Sequence, residues 1–181
     1  LPFDPAKSKA LLAEAGYGDG VTVELAVASD WPESMAYAQA LKEDAAAGGF
    51  TINLKVMPAT QYWDGWTDFN MGITWWAHRP LAPMTLTVAY TGDAEGKPGA
   101  WNEAHWIDDE FSDLAKQAEG TLDVAARREI VGKMEQIMID RGPICVPFFM
   151  NVWQIYTKAV HGVEPSPEEF CILHRAWKDK A

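Results

Sequence analysis

A chain of 181 residues with 48% apolar and 23% charged residues is long enough for one substantial core and has an ordinary globular balance. Its formal charge of −11, from 26 acidic against 15 basic residues, argues against nucleic acid and anionic membrane surfaces, which are held by clustered cations. No apolar run approaches the roughly 20 residues that span a bilayer, and no basic start leads into an apolar signal segment.

"LPFDPAKSKALLAEAG" opens on a loop and enters a helix at once, which reads as the interior of a longer chain: a fragment, or a mature domain without its upstream part. Asp4 is the N-cap acceptor and Pro5 the first-turn proline. Leu11, Leu12 and Ala15 form an apolar stripe, and Gly16 and Gly18 stop the helix. In "VTVELAV", Val21, Val23, Leu25 and Val27 alternate with smaller or polar residues, the pattern of a strand with one buried face. The following helix carries Met35, Ala38, Leu41 and Ala45 on one side and ends at Gly48-Gly49. "TINLKV" alternates again, with Ile52, Leu54 and Val56 on one face. Strand, helix and strand on short connections make a parallel βαβ unit with a right-handed crossover.

A short helix near "TQYWDGW" and a third strand, "FNMGITWW", come next. Residues 79–107 then read as a long loop rich in Pro, Gly, Thr and Trp, a length that raises the prospect of a functional segment. Asp108 or Asp109 caps a helix bearing Phe111, Leu114 and Ala118. Asp123 caps a longer one with Ala126, Ile130, Met134, Ile137 and Met138 inward. "GPICVPFF" reads as a strand and "VWQIYTKAV" as another, while the chain from His161 has little pattern. Cys145 and Cys171 have no metal-ligand spacing; they are either two buried thiols or, in an oxidising compartment, one bridge.

Catalytic signatures are absent: there is no Gly-x-Ser-x-Gly, His-Glu-x-x-His, P-loop or dinucleotide fingerprint. The acids at 108 to 110 suit a helix N-terminus and its dipole, and four scattered histidines make no metal site. The expectation is therefore no enzyme, no metal and no cofactor. Nine tryptophans are unusual, and suit either a heavy core or a surface that stacks on ligands.

Taken together, "FDPAKSKALLAEAGY", "AYAQALKEDAAAGGFTINLKV", "YWDGWTDFNMGITWW", the block from "WIDDEFSDLAKQAEG" to "GPICVPFF", and "VHGV" resemble, in order and spacing, the C-terminal lobe of the family 5 extracellular solute-binding proteins. These are the peptide- and nickel-type receptors of bacterial ABC importers, and the resemblance covers most of residues 1–163. It implies an α/β fold with a mixed sheet flanked by helices, the second lobe of a two-lobed periplasmic binding protein, with 164–181 as a C-terminal tail. The implied partners are a small-molecule ligand, an N-terminal lobe that this chain lacks, and an ABC permease in the inner membrane; nucleic acid is not among them. The implied location is the periplasm, or the extracellular side with attachment through other parts of the protein.

The candidate site is the stretch "ITWWAHRPLAP", at the C-terminal end of the expected third strand, where open α/β sheets bind ligands. In peptide-binding members an aspartate three residues after a strand-end tryptophan pairs with the ligand's amino group. Counting from Trp76, with Pro83 in register, that position holds Arg79. A guanidinium there would repel an ammonium and suits a carboxylate, with His78 as a neighbouring donor. By the pleat, one of Trp75 and Trp76 faces the core and the other a ligand. Ser29 and Trp31, at the end of the first strand, are expected to face the same crevice, Trp31 as a ligand contact or as helix-entry packing. Asn151 lies where the chain would cross toward the other lobe, and Trp101 and Asn102 are lesser candidates. Two other functions fit the same residues: an effector-sensing domain of a transcriptional regulator, and a protein-interaction domain using exposed tryptophans.

Overall fold

The computed structural model describes residues 2–93, 95–164, 166 and 172–180. The chain divides into two compact units, Leu1–Trp75 and Trp76–Ala181.

The first unit contains α1 (Pro5–Glu14), β1 (Val21–Ala28), α2 (Pro32–Ala47), β2 (Phe50–Met57) and α3 (Ala59–Gly65). Asp4 caps α1, its carboxylate accepting the Lys7 amide at 2.9 Å, and Pro5 fills the first helical position. The expected stripe on α1 is not buried; Leu11 is exposed. β1 and β2 pair in parallel, from Val21 opposite Phe50 to Ala28 opposite Met57. Alternation holds only over the first half of β1. Its last four residues, Leu25 to Ala28, are all buried because both faces are covered there. Leu25 and Val27 meet α2 through Met35, Ala38, Leu41 and Ala45, the face expected from the helical spacing. Ala26 and Ala28 turn the other way, onto Met57 and Tyr62. Val56 is exposed rather than inward; the buried residue at that end of β2 is Met57, on the opposite face.

The expected third strand does not form. Residues 69–76 make one parallel bridge, Gly72 beside Ala26, with the Ala26 amide donating to Met71 (2.9 Å) and the Ile73 amide donating to Ala26 (3.1 Å). Past it, the Thr74 hydroxyl is 2.9 Å from the Tyr62 hydroxyl, so a side-chain bond takes over where the ladder stops. Gly72 permits this approach, since a Cβ there would lie 2.6 Å from the Tyr62 oxygen.

The second unit contains α4 (Pro83–Tyr90), α5 (Asp109–Gly120), α6 (Val124–Arg141), β3 (Val160–His161) and β4 (Trp177–Lys178). Residues 79–107 are thus not a structureless loop: Pro83 opens a helix whose Ala89 and Tyr90 join the core. Asp108 and Asp123 cap α5 and α6, accepting the amides of Phe111 (2.9 Å) and Ala126 (2.8 Å). Phe111, Leu114, Ala115 and Ala118 of α5 pack with Met134 and Ile137 of α6, and Ile130 and Met138 lie against them. Ala126 is exposed, a turn before this contact begins.

Neither strand expected between 142 and 160 forms among the described residues. Residues 143–157 carry neither helix nor strand; Ile144 packs against the helical core, while most of the run's other large apolar side chains are exposed. Phe149 is 91% exposed, Trp153 80% and Ile155 94%. The chain then closes a short antiparallel clip, β3 with β4, in which His161 stacks on Trp177 at 4.1 Å and its Nε2 lies 3.2 Å from Asp179. Gly162, at φ +70°, makes the clip possible, because a Cβ would run into the Arg175 carbonyl. Cys145 is exposed, not a buried thiol, and Cys171 lies outside the described residues.

Candidate functional site

The first unit's candidates gather where β1 ends. The Ser29 amide donates to the Met57 carbonyl (2.8 Å), closing the ladder, and its hydroxyl donates to Asp30 (3.3 Å). The second Asp30 oxygen accepts the Ala59 amide (2.8 Å), tying the end of β1 to the start of α3. Trp31, the residue before α2, makes no side-chain cap. Its ring stands edge-on against Tyr62 (5.2 Å) and Trp63 (5.3 Å), and Trp66 (5.5 Å from Trp63) and Phe69 (5.3 Å from Tyr62) continue the aromatic wall. Such edge-to-face contacts suit the ring quadrupoles. Trp31 thus packs at the entry to α2 and remains partly exposed. Trp75 is the last residue of this unit and is exposed.

In the second unit Trp76 is the inward member of the tryptophan pair. It packs against the helical core, and its Nε1 donates to the Glu103 carboxylate at 3.0 Å. Trp101, half exposed, lies tilted against it at 6.1 Å. The loop that presents Trp101 and Glu103 is built on Asn102, which is only 1% exposed. The Asn102 side-chain nitrogen donates to the carbonyls of Thr91 (3.2 Å) and Trp106 (2.7 Å), and its oxygen accepts the Trp106 amide (3.2 Å). His105 completes the turn at φ +50°, a conformation few residues other than glycine adopt. Asn102 is thus the buried hub of this loop. Tyr90 lies in the core nearby, and its hydroxyl is pushed up to about 12 by burial and, second, by the Glu103 charge.

His78 and Arg79 follow Trp76 and are exposed. Among the described residues neither makes a hydrogen bond or an ion pair, although acids outnumber bases. A groove of about 190 Å³ comes directly after Arg79, between Pro80–Pro83 and Val124, Arg127 and Arg128 of α6. Asn151 is exposed, lies in the run without helix or strand, and makes no hydrogen bond to Trp76, His78 or Arg79. A second hollow, of about 300 Å³, lies in the first unit beside Lys9, Tyr17, Asp19 and Phe50. It is at the beginnings of the strands, the wrong end for an α/β ligand site.

Glu103 was not legible as a site residue, because 27 positions separate it from Trp76 and no spacing rule joins them. Among the described residues no group of three or more His, Cys, Asp or Glu could hold a metal ion, and no helix is long and apolar enough to cross a membrane.

The family model of bacterial extracellular solute-binding proteins, family 5 Middle, matches residues 2–98. A dipeptide-binding protein of Pseudomonas aeruginosa PAO1 is 27% identical over 184 residues, covering 92% of this chain and 32% of that protein. The solved binding protein MoaA of A. tumefaciens R10, in complex with mannopinic acid, is 28% identical with a TM-score of 0.64, over 75% of this chain and 28% of its own. A dipeptide binding protein of Pseudoalteromonas sp. SM9913, in complex with Met-Leu, shares the fold at a TM-score of 0.73 and 20% identity, over 97% of this chain and 36% of its own. The chain spans about a third of the length of the relatives it matches. It belongs to the family 5 bacterial extracellular solute-binding proteins, a family of receptors and not of enzymes.

Proposed function

We propose that this family 5 chain is the C-terminal lobe, residues 1–163 with 164–181 as a tail, of the substrate-binding component of a bacterial ABC importer. It works in the periplasm or on the extracellular side, captures a small anionic or peptide-like solute, and delivers it to an inner-membrane permease. The observation that carries the anionic assignment is Arg79: an exposed guanidinium, in an acidic chain, without an ion pair among the described residues. A guanidinium offers five donors in a fixed fork that matches a carboxylate. The 28% identity to a protein solved with mannopinic acid, itself an acid, supports the same ligand chemistry.

On this reading Arg79 fixes the anionic end of the solute, His78 donates beside it, and Trp76 supplies apolar area. Ser29, Trp31 and Trp75 are the first unit's candidate contacts, and Asn151 is the candidate on the run that passes to the other lobe. The partner proposed for that run is the other lobe of the receptor. Support comes from the exposed side chains of Phe149, Trp153 and Ile155, which are apolar beyond what scattered surface residues explain. Hinge closure of the two lobes would then bury the solute away from water.

The test is a thermal-shift screen of the complete gene product that contains this chain, against peptides, sugars, opine acids and metal chelates. Ligands that bind only the folded form raise its Tm. Stabilisation by carboxylate-bearing solutes is expected; a Tm that no solute raises would overturn the receptor reading.

A further inference from the structure

We infer that the groove beside Arg79 receives a second carboxylate of the solute, at Arg127 and Arg128 of α6, so that the ligand class is a dicarboxylate with a short apolar body. This rests on the receptor reading above and specifies its ligand.

The five arginines of the chain divide by their partners. Arg141 is paired with Asp108 and Glu110, and Arg175 with Glu164. Arg79, Arg127 and Arg128 have no ion pair among the described residues, although the chain has 26 acids against 15 bases. Arg127 donates from Nη1 to the Thr121 carbonyl at 3.0 Å, a neutral acceptor that leaves its charge uncompensated. These three are the arginines at the groove. Arg127 and Arg128 line it, and Arg79 is joined by a trans peptide bond to Pro80, the first residue of its wall. Guanidiniums gathered without a counter-charge repel one another, and the same field draws anions.

The rest of the groove is apolar. Val124, Arg127, Arg128 and Val131 follow the i, i+3, i+4, i+7 spacing of a single helix face, which lies against Pro80–Pro83. Leu81 and Val124 remain exposed, so a solute reaches this surface without opening the core. The groove holds about 190 Å³, and since an apolar cavity of about 150 Å³ takes up benzene, a body of about six carbons fits it. A solute with one carboxylate satisfies Arg79 and leaves the two α6 arginines uncompensated. A second carboxylate, on the far side of the apolar body, meets the guanidinium fork there. The competing explanation is that Arg128 is only a solvated surface cation.

Isothermal titration of the complete gene product separates the two. The probes are diacids matched with monoacids of the same chain length: glutarate with pentanoate, adipate with hexanoate, pimelate with heptanoate, and suberate with octanoate. The variants are Arg128→Gln, at an exposed position in the groove, and Lys133→Gln, which removes an exposed cation from α6 outside the groove. In the unaltered protein the diacid of at least one pair binds more than tenfold tighter than its monoacid. In Arg128→Gln that ratio falls to about threefold or less while the monoacid's affinity stays within about twofold, and in Lys133→Gln the ratio is kept. Equal affinity within every pair, a ratio that Arg128→Gln leaves intact, or one that Lys133→Gln lowers as far, overturns the proposal in favour of the solvated cation. Binding of other solutes but of none of these acids overturns the dicarboxylate class and leaves the receptor reading standing. Failure to bind any solute removes both.

Discussion

Asp108 joins the start of α5 to the end of α6. One oxygen accepts the Phe111 amide at 2.9 Å, and Arg141 reaches both oxygens, through Nε at 2.7 Å and Nη2 at 3.1 Å, while also bonding Glu110 at 2.7 Å. The guanidinium bond, followed by the backbone cap, holds the Asp108 acid below the usual aspartate range. A folded state that lowers a carboxyl's pKa binds fewer protons there than the unfolded chain does. The resulting stability is complete above the unfolded value, near pH 4, and is lost as pH falls through the lowered one. Urea unfolding followed from pH 7 to pH 2 should show stability falling in that acid window, and Asp108→Asn, which keeps a capping oxygen, should flatten the fall. An unchanged pH profile in the variant would remove Asp108 from this role. Residue types alone did not disclose such pairings. Asp108 was legible as a cap from its place before Phe111, but Arg141 lies 33 residues on, and Asn102 reads in the sequence only as a lesser ligand candidate, not as the buried hub of its loop.

Among the elements, those with a complete local pattern were the ones the sequence disclosed. The βαβ unit, α5 and α6 combine caps with apolar spacing of period 2 or 3.6, and each formed with the expected inward residues apart from Val56 and Ala126. The failures share a cause. A strand is a relation between two segments, so the apolar runs at 69–76 and 142–160 could be read as strands without any knowledge of which edge would receive them. α4 was hidden for the converse reason: its apolar residues are spread around the helix, with Met84 and Val88 exposed and Ala89 and Tyr90 buried, so no amphipathic stripe announces it. Phe111 is the anchor of the helical core, fully buried between α5 and α6 and edge-on to Trp106 at 5.3 Å. Replacing it with alanine should cost about 3–5 kcal/mol of unfolding free energy in urea, the range for removing a buried aromatic ring. A loss below about 1 kcal/mol would mean that this core is not the stabilising centre of its unit.

At the scale of the molecule, family and fold follow from the whole run of residues, and the ligand chemistry rests on a few. Family 5 membership is carried by residues 2–98, which hold both Trp76 and Arg79 but not Arg128 or Asn151. The order of segments was therefore enough for the family, whereas the groups that would recognise a solute are scattered outside any motif. On the proposed function, Arg79 is the place where a single charge would decide the ligand class, since a cation there would favour a carboxylate and disfavour an ammonium. The decisive measurement is the affinity of the complete gene product for its best carboxylate-bearing solute, by isothermal titration, before and after Arg79→Asp. The account predicts a loss of more than tenfold, about 1.4 kcal/mol or greater. An affinity that does not change would contradict it.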